Sequence, residues 1–559
     1  MRTWKRSGSL EATGRRRQPV LARGVEWARP SVAFAATLTT AVGFLVASPQ
    51  VTGQAMADPV GQSVTVLVTA TNTDTSSKAE GVRAVQTDVV RTKVARQGHV
   101  VGDLAAAGGV VADVTPAQLA DLQAQPDLVV TPNASVSVND TSFTATRAPA
   151  AVFPQTTGAS QLWAKGIDGT GETVAVLDTG IDRLPDFGKR LIAGVDLSGE
   201  GNPFQDSYGH GTFVAGLIAG NGASSKNVYK GEAPGANLVA VKVAGATGVT
   251  DLATVISGIN WVVAHRDQYS IDVLNISLGA IPTTSTVLNP LDQAVETAWQ
   301  AGITVVASAG NSGPFNGTIV SPGDDPLVVT VGAIDDNGST DPTAATATTF
   351  SSVGPTNIDG WFKPDLVTSG RSVVSLRAPG STIDTLYPSA QIGKVNFVGS
   401  GTSFSTAITS GAAALVKQAN QNPIKLKILS PPKTLTPNEI KAQLLGTTSP
   451  GPVGNPMVDG HGALNVWQAA SQPGLELTQI APSVPTPVGT SVDLGTTWNG
   501  SSWNGSSWNG SSWNGSSWNG SSWNGSSWNG SSWNGSSWNG SSWNGSSWNG
   551  SSWNGSSWS

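Results

Sequence analysis

The chain has 559 residues, a formal charge of −6 and no cysteine. At ~100–200 residues per domain this allows several domains with a sizeable core, and the missing thiol excludes disulfide staples, Cys-ligated zinc, iron–sulfur clusters and thiol catalysis together. Charged residues make up 12% of the chain, about half the usual ~25%, so no basic footprint for nucleic acid is present and any nucleophile carries oxygen or nitrogen.

Residues 1–57 read as an export signal. Arg2, Lys5, Arg6, Arg15 to Arg17, Arg23 and Arg29 precede the uncharged, largely apolar run from Ser31 to Ala47, with Ala55-Met56-Ala57 as a small-residue cleavage site. A membrane anchor is the competing reading, but the run falls short of the ~20 apolar residues that a spanning helix needs. Residues 58–139 form a small α+β segment. Val64 to Val68 reads as a strand, Thr115-Pro116-Ala117-Gln118 as a capping box that opens a helix, and Leu128 to Val130 as a further strand. Residues 140–150 are a loose linker.

From 151 to 470 the pattern changes to short apolar runs alternating with amphipathic stretches. Val174 to Leu177, Leu238 to Val243, Val273 to Ile276, Thr304 to Ala307 and Leu327 to Val331 predict strands buried on both faces. Leu252, Val255, Ile256, Ile259 and Val263 recur at helical spacing, and Leu291 to Gln300 predicts a helix ended by Gly302. The alternation predicts one doubly wound α/β domain, a mostly parallel sheet with helices on both faces. Residues 471–497 are a Pro- and Thr-rich linker. Residues 498–559 repeat Trp-Asn-Gly-Ser-Ser, with thirteen tryptophans and no charge. An odd period sends successive rings to opposite faces of a strand, and Asn-Gly every five residues signals turns, so the tail is expected to be disordered or turn-rich. A mobile expansion, contact with cell wall or polysaccharide through tryptophan stacking, and self-association are the readings left open for it.

Activating a serine hydroxyl needs an imidazole to take its proton and a carboxylate to orient that imidazole. Histidine is scarce, at four in the chain. His210 stands in Gly209-His210-Gly211-Thr212, ahead of small residues suited to a tightly packed helix. Asp178 follows the predicted strand Val174 to Leu177 at its carboxyl end, where open α/β sheets build their sites. Ser403, in Gly401-Thr402-Ser403, precedes the small-residue helix from Thr406 to Ala419, whose N-terminal dipole favours developing negative charge. Singly, a turn, a structural histidine and a helix cap would account for these residues; their conjunction does not reduce to that.

With the order Asp, His, Ser and these three long blocks, the region from about Gln161 to Ala470 resembles the subtilases, the subtilisin-type serine endopeptidases. The resemblance implies Ser403 as nucleophile, His210 as general base and then acid, and Asp178 as the group that holds the imidazole tautomer. Asn311, in Ser308-Ala309-Gly310-Asn311, matches the family's oxyanion donor. The segment around Gly248 and Ser277-Leu278-Gly279 would flank an extended peptide, and Ser308, Ala309 and Gly310 would wall the primary pocket, with a broad or apolar preference.

Protein or peptide substrates, a monomeric state, a secreted or wall-associated location and no nucleic-acid partner are implied, and residues 58–139 would be the enzyme's own propeptide, cut off between Val138 and Pro149. The chemistry requires no cofactor. A structural calcium is allowed for by the family, with Asp324-Asp325 and Asp335-Asp336 as candidate ligands against their reading as solvated turns. Phe213, Ser405 and Ala407 depart from the family's usual histidine, alanine and proline without removing a proton-transfer group. An aspartic protease would need a second Asp-Thr-Gly, which is absent. A non-catalytic surface adhesin displaying the tail is the remaining alternative.

Overall fold

A computed structural model describes residues 63–71, 79–138, 142, 143, 151–471 and short strand pieces between 497 and 558. The expected export signal, most of the 140–150 linker and nearly all of the 471–497 linker lie outside the described residues. No described helix is long and apolar enough to cross a membrane.

The N-terminal unit is built from β1 (Val64–Ala70), α1 (Ala79–Val94), β2 (His99–Leu104), β3 (Gly109–Val114), α2 (Pro116–Gln123) and β4 (Leu128–Pro132). Its strands form an antiparallel sheet of order β2-β3-β1-β4. The predicted capping box is present: Gln118 N donates to Thr115 Oγ1, and Thr115 N donates to Gln118 Oε1. Alternation along β1 divides its side chains between two cores. Val66 and Val68 pack with Val90, Val94 and Leu122 inside the unit, while Leu67 joins Leu104, Ala106 and Ala107 in the large core of the following domain. The apolar run from Val64 to Val68 therefore reflects a sheet covered by its own helices on one face and by a neighbouring domain on the other.

Beyond β4 the chain leaves this sheet. β5 (Ser135–Val138) pairs instead with strands of the next domain, as described below. That domain contributes β6 (Thr173–Asp178), β7 (Leu191–Asp196), β8 (Asn237–Lys242), β9 (Val249–Asp251), β10 (Ile271–Ile276), β11 (Leu278–Gly279), β12 (Thr304–Ser308), β13 (Val329–Asp335), β14 (Thr346–Ala347) and β15 (Leu366–Ser369). Its main helices are α3 (His210–Ala219), α4 (Leu252–Ala264), α5 (Pro290–Gln300), α6 (Thr402–Gln421) and α7 (Pro437–Gly446). The main sheet runs β14-β13-β12-β10-β6-β8-β7 with β15 on β13, and every pair but β13 with β14 is parallel. This is the α/β architecture expected, with helices on both faces. All six residues of β6 are buried, as a central parallel strand requires.

Two local expectations are corrected. The strand expected from Leu327 begins at Val329, because Asp325 Oδ1 accepts from Leu327 N at 2.8 Å and holds a turn there. The aspartates Asp324, Asp325 and Asp336, expected in solvated turns, are buried. Lys441 Nζ donates to the carbonyls of Pro326, Leu327 and Val328, and Lys363 Nζ to that of Val328. Both ammoniums also meet Asp365 Oδ2, at 3.2 and 2.7 Å. Burial alone would raise the Asp365 carboxyl, but the two lysines outweigh it and hold it below the usual range. Protein cations thus fill the carbonyl-lined turn that follows Asp324-Asp325. Asp335 and Asp336 cap the turn at Asn337 and Gly338, and no described cluster of acidic or histidine side chains could hold a metal ion.

Within the repeat tail the described residues are short strands in parallel pairs. Trp498 stands opposite Trp518, Trp503 opposite Trp523 and Trp513 opposite Trp533, each twenty residues on. An offset of four pentads pairs like residues with like in the register.

Candidate active site

β6 ends in Asp178, and α3 begins with His210. His210 Nδ1 lies 2.8 Å from Asp178 Oδ1 and 3.0 Å from Oδ2, with both side chains buried. The second contact of Asp178 Oδ1 is the N–H of Thr179 at 2.8 Å. The glycines of the two blocks explain this approach. A Cβ on Gly211 would come within 2.2 Å of Gly180 O, so only a glycine there lets the start of α3 lie against the turn after Asp178.

Two groups that the sequence reading missed hold this junction. Asp206 accepts from Thr179 Oγ1, Gly209 N and Thr212 N, joining the Asp178 turn to the first turn of α3. Burial pushes its carboxyl up to about 6, against those hydrogen bonds, which lower it. Lys242, fully buried at the end of β8, donates to Thr179 O and Gln205 O at 2.8 Å each and faces Glu200 Oε2 at 3.0 Å. The signal available in sequence was a lysine closing an apolar run that is otherwise buried on both faces.

Ser403 is the second residue of α6, which starts at Thr402 and so earlier than the predicted Thr406. Its Oγ donates to Ser277 O at 2.9 Å, and Ser277 Oγ donates back to Ser403 O. Asn275 and Ser410 continue this buried chain of hydrogen bonds. Phe404, the next residue, places its ring 5.6 Å from the His210 imidazole. Asn311 is fixed from the same helix start: its Oδ1 accepts from Thr402 N and Thr402 Oγ1, both at 3.0 Å. This leaves the Asn311 Nδ2 donor buried with no partner.

The chain is a member of a known family on independent grounds. Residues 169–466 match the subtilase family. Serine protease AprX of Bacillus subtilis (strain 168) is 41% identical over 304 residues, 54% of this chain and 66% of the relative. Subtilisin NAT of Bacillus subtilis subsp. natto is 35% identical over 318 residues, 56% of this chain and 69% of the relative. Subtilisin Savinase of Lederbergia lenta is 37% identical over 257 residues, 46% of this chain and 80% of the relative.

The chain belongs to the subtilase family.

It is a serine-type endopeptidase on that ground, and subtilases need no cofactor for the chemistry. In this subtilase the expected peptide cleft is lined by β9 and β11, and β5 fills it as the middle strand of an antiparallel three-stranded sheet. Leu278 pairs with Val138, Gly279 with Ser137, and Gly248 O accepts from Val138 N at 3.2 Å. Ser308 ends β12, and Ala309 and Gly310 follow it. Gly310 N donates to Thr402 Oγ1 at 3.3 Å, tying this segment to the start of α6. On the far side of Ser403, Ser142 and Ser400 exchange both backbone hydrogen bonds, at 2.8 and 3.3 Å.

The N-terminal unit is held elsewhere too. Arg83 on α1 donates to Glu296 Oε2 on α5 at 3.1 Å, with the Arg83 side chain 3% exposed. Burial raises the Glu296 carboxyl to about 8, and nearby Asp325 adds to this while Arg83 opposes it. Thr297 Oγ1 donates to Ala106 O, and Asn133 Oδ1 accepts from Ala253 N.

Proposed function

We propose that this subtilase is a secreted, self-processing endopeptidase in which Asp178, His210 and Ser403 form the catalytic triad. The observation that carries the reading is the buried 2.8 Å contact between Asp178, at the carboxyl end of the central strand β6, and His210, beside the start of α6 that carries Ser403. Asp178 holds Nδ1 protonated, which leaves Nε2 to take the Ser403 proton as the hydroxyl attacks a peptide carbonyl. The oxyanion so formed meets Asn311 Nδ2 and the positive end of α6. His210 then returns the proton to the leaving amine, and water releases the acyl group by the same steps in reverse.

Substrate would lie extended between β9 and β11, adding a strand as β5 does. Backbone pairing of this kind accepts many sequences. Gly248, Leu278 and Gly279 supply that pairing, with Ser277, Ser308, Ala309 and Gly310 around the primary pocket. β5 itself marks the N-terminal unit as a propeptide that occupies the cleft of its own enzyme. Because the chain is anchored before Ser403 by Val138 and after it by Ser142, we place the cut between these two residues. Residues 1–57 would direct export, and the tail would contact wall polysaccharide.

Labelling with a fluorophosphonate tests the chemistry. Mature protein should be modified and Ser403→Ala should not. An unlabelled mature wild type would instead favour the surface adhesin. N-terminal sequencing of the mature protein checks the cut, and a start upstream of Val138 would refute it.

A further inference from the structure

Phe143 follows the Ser142 anchor and is only 2% exposed. Its ring lies in a cage of four aromatic rings, all from the protease domain: Tyr387 at 5.4 Å between centroids, Phe397 at 5.6 Å, Phe404 at 6.2 Å and Phe213 at 6.4 Å. Gly399 forms the floor; a Cβ there would come within 3.1 Å of the Phe143 ring. Phe404 lies 4.4 Å from Phe213 in a tilted pair and 5.6 Å from the His210 ring, so this wall of the pocket adjoins the catalytic imidazole. Tyr387, 40% exposed, forms the rim.

The backbone leading into this pocket is held as a substrate backbone would be. Val138 is paired on one side of Ser403 and Ser142 on the other, so Phe143 occupies the track of residues downstream of the cut. Phe213 stands where the family's motif usually carries a second histidine, and that exchange supplies one of the four walls.

We propose that these aromatics form a substrate subsite on the leaving-group side of the scissile bond, selecting a bulky aromatic side chain. Phe143 fills it in the precursor and vacates it once the bond is cut. The proposal rests on the proteolytic reading above and adds a position-specific preference to it. Burying a phenyl ring in such a cage, rather than a methyl group, is worth about tenfold or more in kcat/KM.

The test uses mature enzyme that the full-length chain has produced by processing itself. N-terminal sequencing fixes how many residues separate the cut from Phe143. Quenched fluorescent peptides then carry Phe or Ala at each of the first five positions after the scissile bond. The Phe-to-Ala ratio of kcat/KM should reach about tenfold at the position matching Phe143 and stay near one at its neighbours. Tyr387→Ala should shrink that ratio by about threefold or more. A ratio near one at the matching position overturns the subsite, as does a ratio that Tyr387→Ala leaves unchanged. A chromogenic peptide amide with no amino acid after the scissile bond separates the two claims: its hydrolysis with flat ratios sinks only the subsite, and no hydrolysis of any substrate sinks the proteolytic reading along with it.

Discussion

Asp178 and His210 are 1% and 0% exposed, the one on a six-residue central strand and the other on the first turn of a ten-residue helix. The proposed peptide cleft is made from β9 and β11, strands of three and two residues that share a sheet through β5 between them. The Asp178–His210 pair is therefore set by the core, with Asp206 and Lys242 tying its two backbones together. Recognition is left to sheet edges whose hydrogen bonds are completed by whatever strand is inserted. Under the proposed reading, edges of this kind would take a propeptide, release it and take a substrate without disturbing the buried pair.

Removing the hydroxyl should separate the two regions most sharply. Ser403→Ala is expected to lower kcat by about 10⁶, a magnitude carried over from subtilisin, a relative of this chain. It should leave the 63–138 segment uncut and in place, as seen by mass spectrometry of the purified chain. If the cleft lost its occupant in this variant, the independence of the two regions would be refuted. Arg83→Ala acts on the propeptide alone. It removes the ion pair that ties α1 to Glu296 on α5, and because burial raises that carboxyl to about 8 the acid is left neutral, so the loss should appear as a modest weakening of the inhibition of mature enzyme by added 63–138 segment. Equal inhibition by the variant and the parent would show that the edge strands suffice. Asn311→Leu should cost about 2.7–4 kcal/mol in the barrier, again a subtilisin figure, with KM nearly unchanged. A change confined to KM would move Asn311 from the chemistry to the cleft.

The mildest probe is pH. Asp206 has its carboxyl raised to about 6 in the fold against an ordinary value of 3.8. The folded chain therefore holds an extra proton between these values, and the stability that this group contributes declines as pH rises from about 4 to about 6. Thermal unfolding of Ser403→Ala should show that slope, and it should flatten when Asp206→Asn is added. An unchanged slope would remove Asp206 from the junction's titration.

Much of this was legible in sequence where local chemistry and position coincide. Buried parallel strands leave unbroken apolar runs, so β6, β8, β10 and β12 stood out together with the aspartate at the end of the first. The glycines around His210 and Asn311 signalled close backbone approach. Pairing at long range was not legible. β5 has a strand's alternation but no local sign that its partners lie more than a hundred residues on, at Thr250 and Leu278. Asp324-Asp325 read as exposed because the lysines that neutralise their surroundings, Lys363 and Lys441, are remote in sequence.

Lys441 carries a consequence for how this enzyme tolerates its surroundings. Its ammonium collects three successive carbonyls and a carboxylate, a coordination job that a free ion could also perform. A counter-charge attached through a side chain cannot be dialysed away or stripped by a chelating detergent builder. That turn should thus keep its shape at any concentration of dissolved divalent ions.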